Sequence, residues 1–177
     1  THEAHIGERN RALQRFQEIS QKKKIRITFF SGDVHCCGIS RFKTRSRNSL
    51  APINDTKLMY QVISSAIVNL PPPKAAIRLA HFVQTKWKPI PRTEEKLIDF
   101  FQHSPDNGRK LINQKLLPNR NWCYFEQCND TDSSFYVTVK TGCFHRHCCS
   151  GQENTSNMNF DSTSKSDHDE IIDTQAS

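Results

Sequence analysis

The sequence predicts a mixed α/β (α+β) fold with a disordered C-terminal tail, and three observations carry that expectation. An amphipathic segment of helical period opens the chain, strand-length runs of β-branched and aromatic residues follow between turn residues and a proline triplet, and apolar content collapses after Cys143. At 177 residues the chain is long enough for one modest domain and too short for two sizeable cores. The expected division is a folded part over residues 1–142 and a polar, acidic tail over residues 143–177.

From Ile6 to about Ser20, Ala12, Leu13, Phe16 and Ile19 recur at helical spacing with Arg9, Arg11, Arg15 and Glu18 between them. This is the pattern of a surface helix with an inward apolar stripe, closed by the basic run Gln21 to Lys24. Ile25 to Phe30 reads as a strand, and Ser31 and Gly32 break it. Asp33 then falls just past a strand's carboxyl end, where open α/β sheets place ligand chemistry. Val34 to Phe42 reads as a second extended segment and Lys43 to Asp55 as a polar, basic loop. Met59 to Val68 predicts a buried strand ending at Asn69, with Ser64 and Ser65 as small packing residues. Pro71, Pro72 and Pro73 forbid further pairing and launch a helix over Lys74 to Lys86, with Ile77, Leu79 and Phe82 inward. Thr93 followed by Glu94 to Phe101 predicts a short capped helix. Asn119 to Gln127 and Ser134 to Thr141 predict a hairpin across the turn-rich Cys128 to Asp132, and Trp87 and Trp122 are expected to be packing residues. Gly151 to Ser177 is too polar to offset its ordering entropy by burial.

Charge is uneven. Residues 1–50 hold 11 Lys+Arg and 4 Asp+Glu, a net +7, whereas the remainder holds 14 of each. Clustered cations suit phosphates or an anionic surface, although a solvated helix face and loop carry the same pattern. The most apolar run, Val62 to Leu70, is far short of the ~18 to 20 residues a membrane span needs. The chain opens on Thr1 with no Met and no signal-peptide layout, so a processed chain or a piece of a longer one is expected. Seven cysteines, an odd number with two adjacent pairs, do not make a disulfide framework and point to a reducing compartment. Sequons at Asn54, Asn129 and Asn154 pull the other way.

The sharpest local feature is Ser31-Gly32-Asp33-Val34-His35. In extended chain, residues two apart point to one side, about 6.6 Å apart, so Asp33 and His35 can converge on one ion or phosphate. A hard carboxylate with a borderline imidazole suits Mn, Fe or Zn, but two ligands leave such a site incomplete. The rival pattern is a zinc-ribbon-like outline of Cys123, Cys128, Cys143 and Cys148, with His145, His147 and Cys149 nearby. Under that reading the chain is a non-enzymatic basic Cys/His zinc module contacting nucleic acid or an anionic membrane.

The ordered series Thr1-His2-Glu3-Ala4-His5, Glu8-Arg9-Asn10, Ile27 to Cys37, Val62 to Asn69, Pro71 to Pro73 and Arg120 to Cys123 closely resembles the carboxyl-terminal part of the PhoD-like phosphatases, and most of all their large fungal branch. The resemblance spans about residues 1–142. It implies part of a calcineurin-like metallophosphoesterase αββα sandwich that hydrolyses phosphate esters through a metal-activated water. Asp33 and His35 fall on the family's G-D-x-H motif, which makes both the implied catalytic residues and metal ligands. The implied cofactors are divalent or trivalent metal ions, Ca, Fe, Mn or Zn. The implied partners are a phosphate-ester substrate and a preceding part of the same domain, with peripheral membrane contact also expected and nucleic acid not. The family's upstream metal-binding motifs do not occur here, so the chain on its own is expected to be inactive. Its expected location is cytoplasmic or peripheral to a membrane.

Overall fold

The chain is described from a computed structural model that covers residues 3–32, 35–46, 54–64, 73, 75, 86–104, 107–112, 114–127, 135–141, 154–160 and 172–173. A 3-10 turn over Glu3–His5 leads into α1, Ile6–Lys23. Ten strands follow. They are β1 (Ile27–Ser31), β2 (Cys37–Thr44), β3 (Met59–Ile63), β4 (Lys86–Trp87), β5 (Thr93–Leu97), β6 (Leu116–Leu117), β7 (Asn121–Gln127), β8 (Phe135–Thr141), β9 (Asn154–Phe160) and β10 (Ile172–Asp173). The mixed α/β class expected from the sequence is the class found.

Two sheets form. The first is six-stranded in the order β1-β3-β2-β5-β4, with β6 beside β2, and the second is four-stranded in the order β10-β9-β8-β7. Alternation decides the layers. Ile27, Phe29, Phe42 and Met59 point to one face of the first sheet and pack with Leu13 of α1. Cys37, Ile39 and Val62 point to the other and pack with Val137 and Val139 of β8, together with Phe100 and Phe101. Phe30 and Phe125 meet across the two sheets with ring centroids 5.2 Å apart. The described layers are therefore helix, sheet and sheet. The helix expected over Lys74 to Lys86 lies outside the described residues except at Ala75, which is helical, and Lys86, which opens β4 instead.

The helix runs three residues past Ser20, because Lys22 and Lys23 suit the negative end of its dipole. Lys24 then stops it in the left-handed conformation, φ 54° and ψ 44°. Its inward stripe is Leu13, Gln17 and Ser20, not the expected Ala12, Leu13, Phe16 and Ile19. Polar groups tolerate that burial because they are paired: Thr93 Oγ1 donates to Gln17 Oε1 at 3.1 Å and Ser20 Oγ donates to the Ile25 carbonyl at 2.6 Å. Phe16 and Ile19, 38% and 37% exposed, lie at the helix margin.

The short helix expected over Glu94 to Phe101 is a correction: Thr93–Leu97 is a strand. Arg92, at φ 60°, turns the chain so that Thr93 N donates back to the Ile90 carbonyl. β5 then pairs antiparallel with β2 from Ser40↔Leu97 to Thr44↔Thr93, and that ladder overrides a local preference for helix. The expected loop at Lys43 likewise begins late, since β2 continues through Thr44. The expected hairpin forms, with β7 and β8 paired from Asn121↔Thr141 to Gln127↔Phe135. Within the stretch expected to lack structure, β9 pairs antiparallel with β8 over seven residues and β10 adds to β9. The remainder of residues 143–177 is outside the described part. No helix among the described residues is long and apolar enough to cross a membrane.

Candidate active site

β1 and β2 are consecutive in sequence, yet β3 lies between them, parallel to β1 and antiparallel to β2. The end of β1 and the start of β2 therefore flank the carboxyl end of β3, with Ser31 and Gly38 both partnered to Ile63 and two strand spacings, about 10 Å, apart. The segment between them carries Asp33 and His35. Its first support is the end of β1, where Ser64 N donates to the Ser31 carbonyl at 2.8 Å and Gln61 Nε2 donates to Ser31 Oγ at 2.9 Å. Its second is the start of β2, where Cys36 and Cys37 are buried and the Cys37 thiol donates to the Leu117 carbonyl at 3.6 Å. Burial drives the Cys37 thiol well above its ordinary pKa, with added opposition from the neighbouring thiols of Cys36 and Cys123. Cys37 is thus an inert core residue rather than a nucleophile.

His35 adopts φ 68°, in the left-handed region that costs a non-glycine residue roughly 1–2 kcal/mol. Its Nδ1 is buried and makes no hydrogen bond. Such an orphaned nitrogen is the observation that tests the implied metal: an imidazole nitrogen is a common metal ligand, and no hydrogen bond occupies this one. The imidazole therefore fits. Asp33 lies outside the described residues, and among the described residues no three His, Cys, Asp or Glu side chains stand together as a metal-binding group.

A cavity of about 670 Å³ adjoins this loop, and the sequence pattern did not reveal it. Its roof is the first two turns of α1, at Ile6, Arg9 and Asn10. Its floor is the sheet face beneath, from Ser31 and Gly32 across Gln61 and Ser40 to Glu95. Arg9 Nη2 donates to both carboxylate oxygens of Glu95, at 2.8 and 2.7 Å, and Ser40 Oγ donates to Glu95 Oε1 at 3.1 Å. The Glu95 side chain is 9% exposed and that of Arg9 29%, and Arg9 also stacks over the Phe42 ring at 5.8 Å. The only signal for this group in the sequence was Glu8-Arg9-Asn10 within the family resemblance.

Other candidates separate from the site. Of the zinc-ribbon-like outline, only Cys123 is described, half-buried against the core between the sheets; Cys128, Cys143, Cys148, Cys149, His145 and His147 are outside the described residues. Ser64 Oγ donates to Asn121 Oδ1 at 2.9 Å and ties the two sheets together. Trp122, expected to pack inside, is 42% exposed on the outer face of β7, beside Tyr124 with ring centroids 5.5 Å apart.

Comparison with known proteins gives the frame for this geometry. No solved structure matches the chain. An uncharacterized protein of Saccharomyces cerevisiae, YGR266W, is 30% identical over 141 residues, covering 67% of this chain and 19% of its own length, so the chain spans about a fifth of that relative. The family described as PhoD related phosphatase matches residues 1–162. With that match spanning nearly the whole chain, including the Gly-Asp-Val-His sequence at residues 32–35, the chain belongs to the PhoD-related phosphatase family.

Proposed function

We propose that the chain builds one side of the active site of a metal-dependent phosphatase or phosphodiesterase, with Asp33 and His35 as metal ligands. The observation that carries this reading is His35, strained to φ 68° with a buried Nδ1 that has no hydrogen-bond partner, at the carboxyl end of a parallel strand pair. Strain persists where the surroundings over-determine it, and it clusters at sites of function. Divalent or trivalent ions (Ca, Fe, Mn or Zn) held by these residues would supply Lewis acidity toward the phosphate ester and lower the pKa of a bound water toward ~7. The chain's own part is to present the donors. The Ser31 anchors fix the end of β1, and the buried Cys36 and Cys37 fix the chain directly after His35. Asp33 contributes the anionic donor that balances cationic charge. The remaining ligands come, in this reading, from a segment preceding Thr1, and the chain by itself shows little turnover.

The test compares metal content and hydrolysis of p-nitrophenyl phosphate and its diester in the protein carrying its preceding segment. Loss of an outer-shell partner of a metal ligand costs about 10–100-fold, so Asp33→Asn and His35→Ala should each lose at least that much metal affinity and turnover. Full metal content and turnover in both variants would remove the reading.

A further inference from the structure

Because β1 and β3 run parallel while β2 runs antiparallel to both β3 and β5, one end of the first sheet gathers the starts of β1, β3 and β5 with the finish of β2. α1 also ends there, and polar contacts tie the elements together. Gln21 Nε2 donates to Thr56 Oγ1 at 2.9 Å, Thr44 N and Oγ1 each donate to the Asp55 carboxylate at 2.7 Å, and Arg45 N donates to the Arg92 carbonyl at 2.8 Å. The result is a pole of cations drawn from four places in the sequence: Lys22 to Lys24, Arg45, Lys57 and Arg92. From β1 to β5 is three strand steps, about 14 Å, so these charges cover an area rather than a point.

Among the described residues none of the six takes part in an ion pair. Asp55, the carboxylate at this end, is 3% exposed and spends its oxygens on Thr44 and the Lys57 amide, so it offers no counter-charge to solvent. Lys57 is half-buried and the other five are exposed. An apolar group stands among them: Ile25 follows Lys24 directly and is 48% exposed, and Ile19, 37% exposed, lies one helical turn before Lys23.

We propose that this pole docks the protein on an anionic bilayer, with the cations among the lipid headgroups and Ile25 at the acyl boundary. Charge complementarity selects an extended anionic surface, because a single phosphate can meet only a few of six cations spread over four elements, whereas a plane of headgroups meets them all. The exposed isoleucine selects lipid over single-stranded nucleic acid, which is gripped by aromatic rings set between cations.

The test is co-sedimentation of the chain with phosphatidylcholine vesicles, with and without about one third phosphatidylserine. Binding should require phosphatidylserine and weaken as salt shortens the reach of the charges. At roughly fivefold per surface cation, the triple variant Lys22→Gln, Lys23→Gln, Lys24→Gln should bind about a hundredfold more weakly. Arg92→Gln, far away in sequence but on the same pole, should lose about fivefold, whereas Arg120→Gln, an equal charge change before β7, should leave binding unchanged. Ile25→Ser should also lose about fivefold, and that loss should persist at high salt. These side chains are exposed, so their replacement does not threaten the fold. Equal binding to both vesicles, full binding by the triple variant, or equal losses for Arg92→Gln and Arg120→Gln overturns the proposal. So does a single-stranded oligonucleotide that binds more tightly than the vesicles and is indifferent to Ile25→Ser.

Discussion

Replacing Arg9 by Met tests whether the ion pair beneath α1 holds the helix on the sheet. The change keeps an unbranched, helix-compatible side chain able to lie on Phe42, but it removes both short hydrogen bonds to Glu95 and leaves that carboxylate with Ser40 as its remaining hydrogen-bond donor. Breaking a buried pair from one side costs about 3–5 kcal/mol, because an uncompensated charge stays behind. The Arg9 side chain is 29% exposed, so water reaches the orphaned carboxylate and the lower end, about 3 kcal/mol, applies. For a chain of this size that is a fall in Tm of about 6–12 °C. Glu95→Gln should cost less, about 1–2 kcal/mol, since Arg9 can hydrate at its exposed side. The double variant Arg9→Met, Glu95→Gln should then recover part of the loss, with a coupling of about 1–2 kcal/mol in the cycle. The assay is denaturant unfolding with all four proteins at one salt concentration. An Arg9→Met loss under 1 kcal/mol, or strictly additive variants, would refute the reasoning and mark the pair as an ordinary surface contact.

Two further outcomes follow from the β2 environment. A Cβ at Gly38 would lie 2.7 Å from Leu116 Cδ2 and 2.9 Å from the Lys115 carbonyl oxygen, and the latter is backbone that cannot yield; Gly38→Ala should cost about 1–3 kcal/mol, and trimming Leu116 in the same chain should restore only part of it, as read from unfolding midpoints. Cys37 is held neutral by burial, so above the ordinary thiol pKa of about 8.5 the unfolded chain releases a proton that the folded chain keeps. Stability from this residue is fully present below that pH and falls as pH rises past it; Cys37→Ala should flatten the decline between pH 8.5 and 10, and an unchanged slope would count against it.

The hairpin β7–β8 was legible because strand residues flank a turn-rich run, and both its partners are local. The segment after β1 was legible for a different reason: Ser31 and Gly32 break a strongly β-forming run, and the residues that follow carry the family's motif. What escaped were decisions made by distant residues. Gln17 and Ser20 face inward because Thr93 and the Ile25 carbonyl satisfy them, and no periodicity rule assigns a glutamine to a buried stripe. Glu94 and Glu95 look helical by composition, yet β2 supplies a ladder and Arg9 a counter-charge 86 residues away. The cavity was illegible for the same reason, since its roof and floor come from opposite ends of the sequence.

The insertion of β3 between β1 and β2 also decides which end of the motif segment is the looser one. β3 is hydrogen-bonded on both sides, parallel to β1 and antiparallel to β2, whereas β1 has β3 as its one neighbour among the described strands. Residues 32–36 therefore connect a strand at the edge of the sheet to one inside it, and local opening of β1 releases one end of that connection while β3 and β2 stay paired.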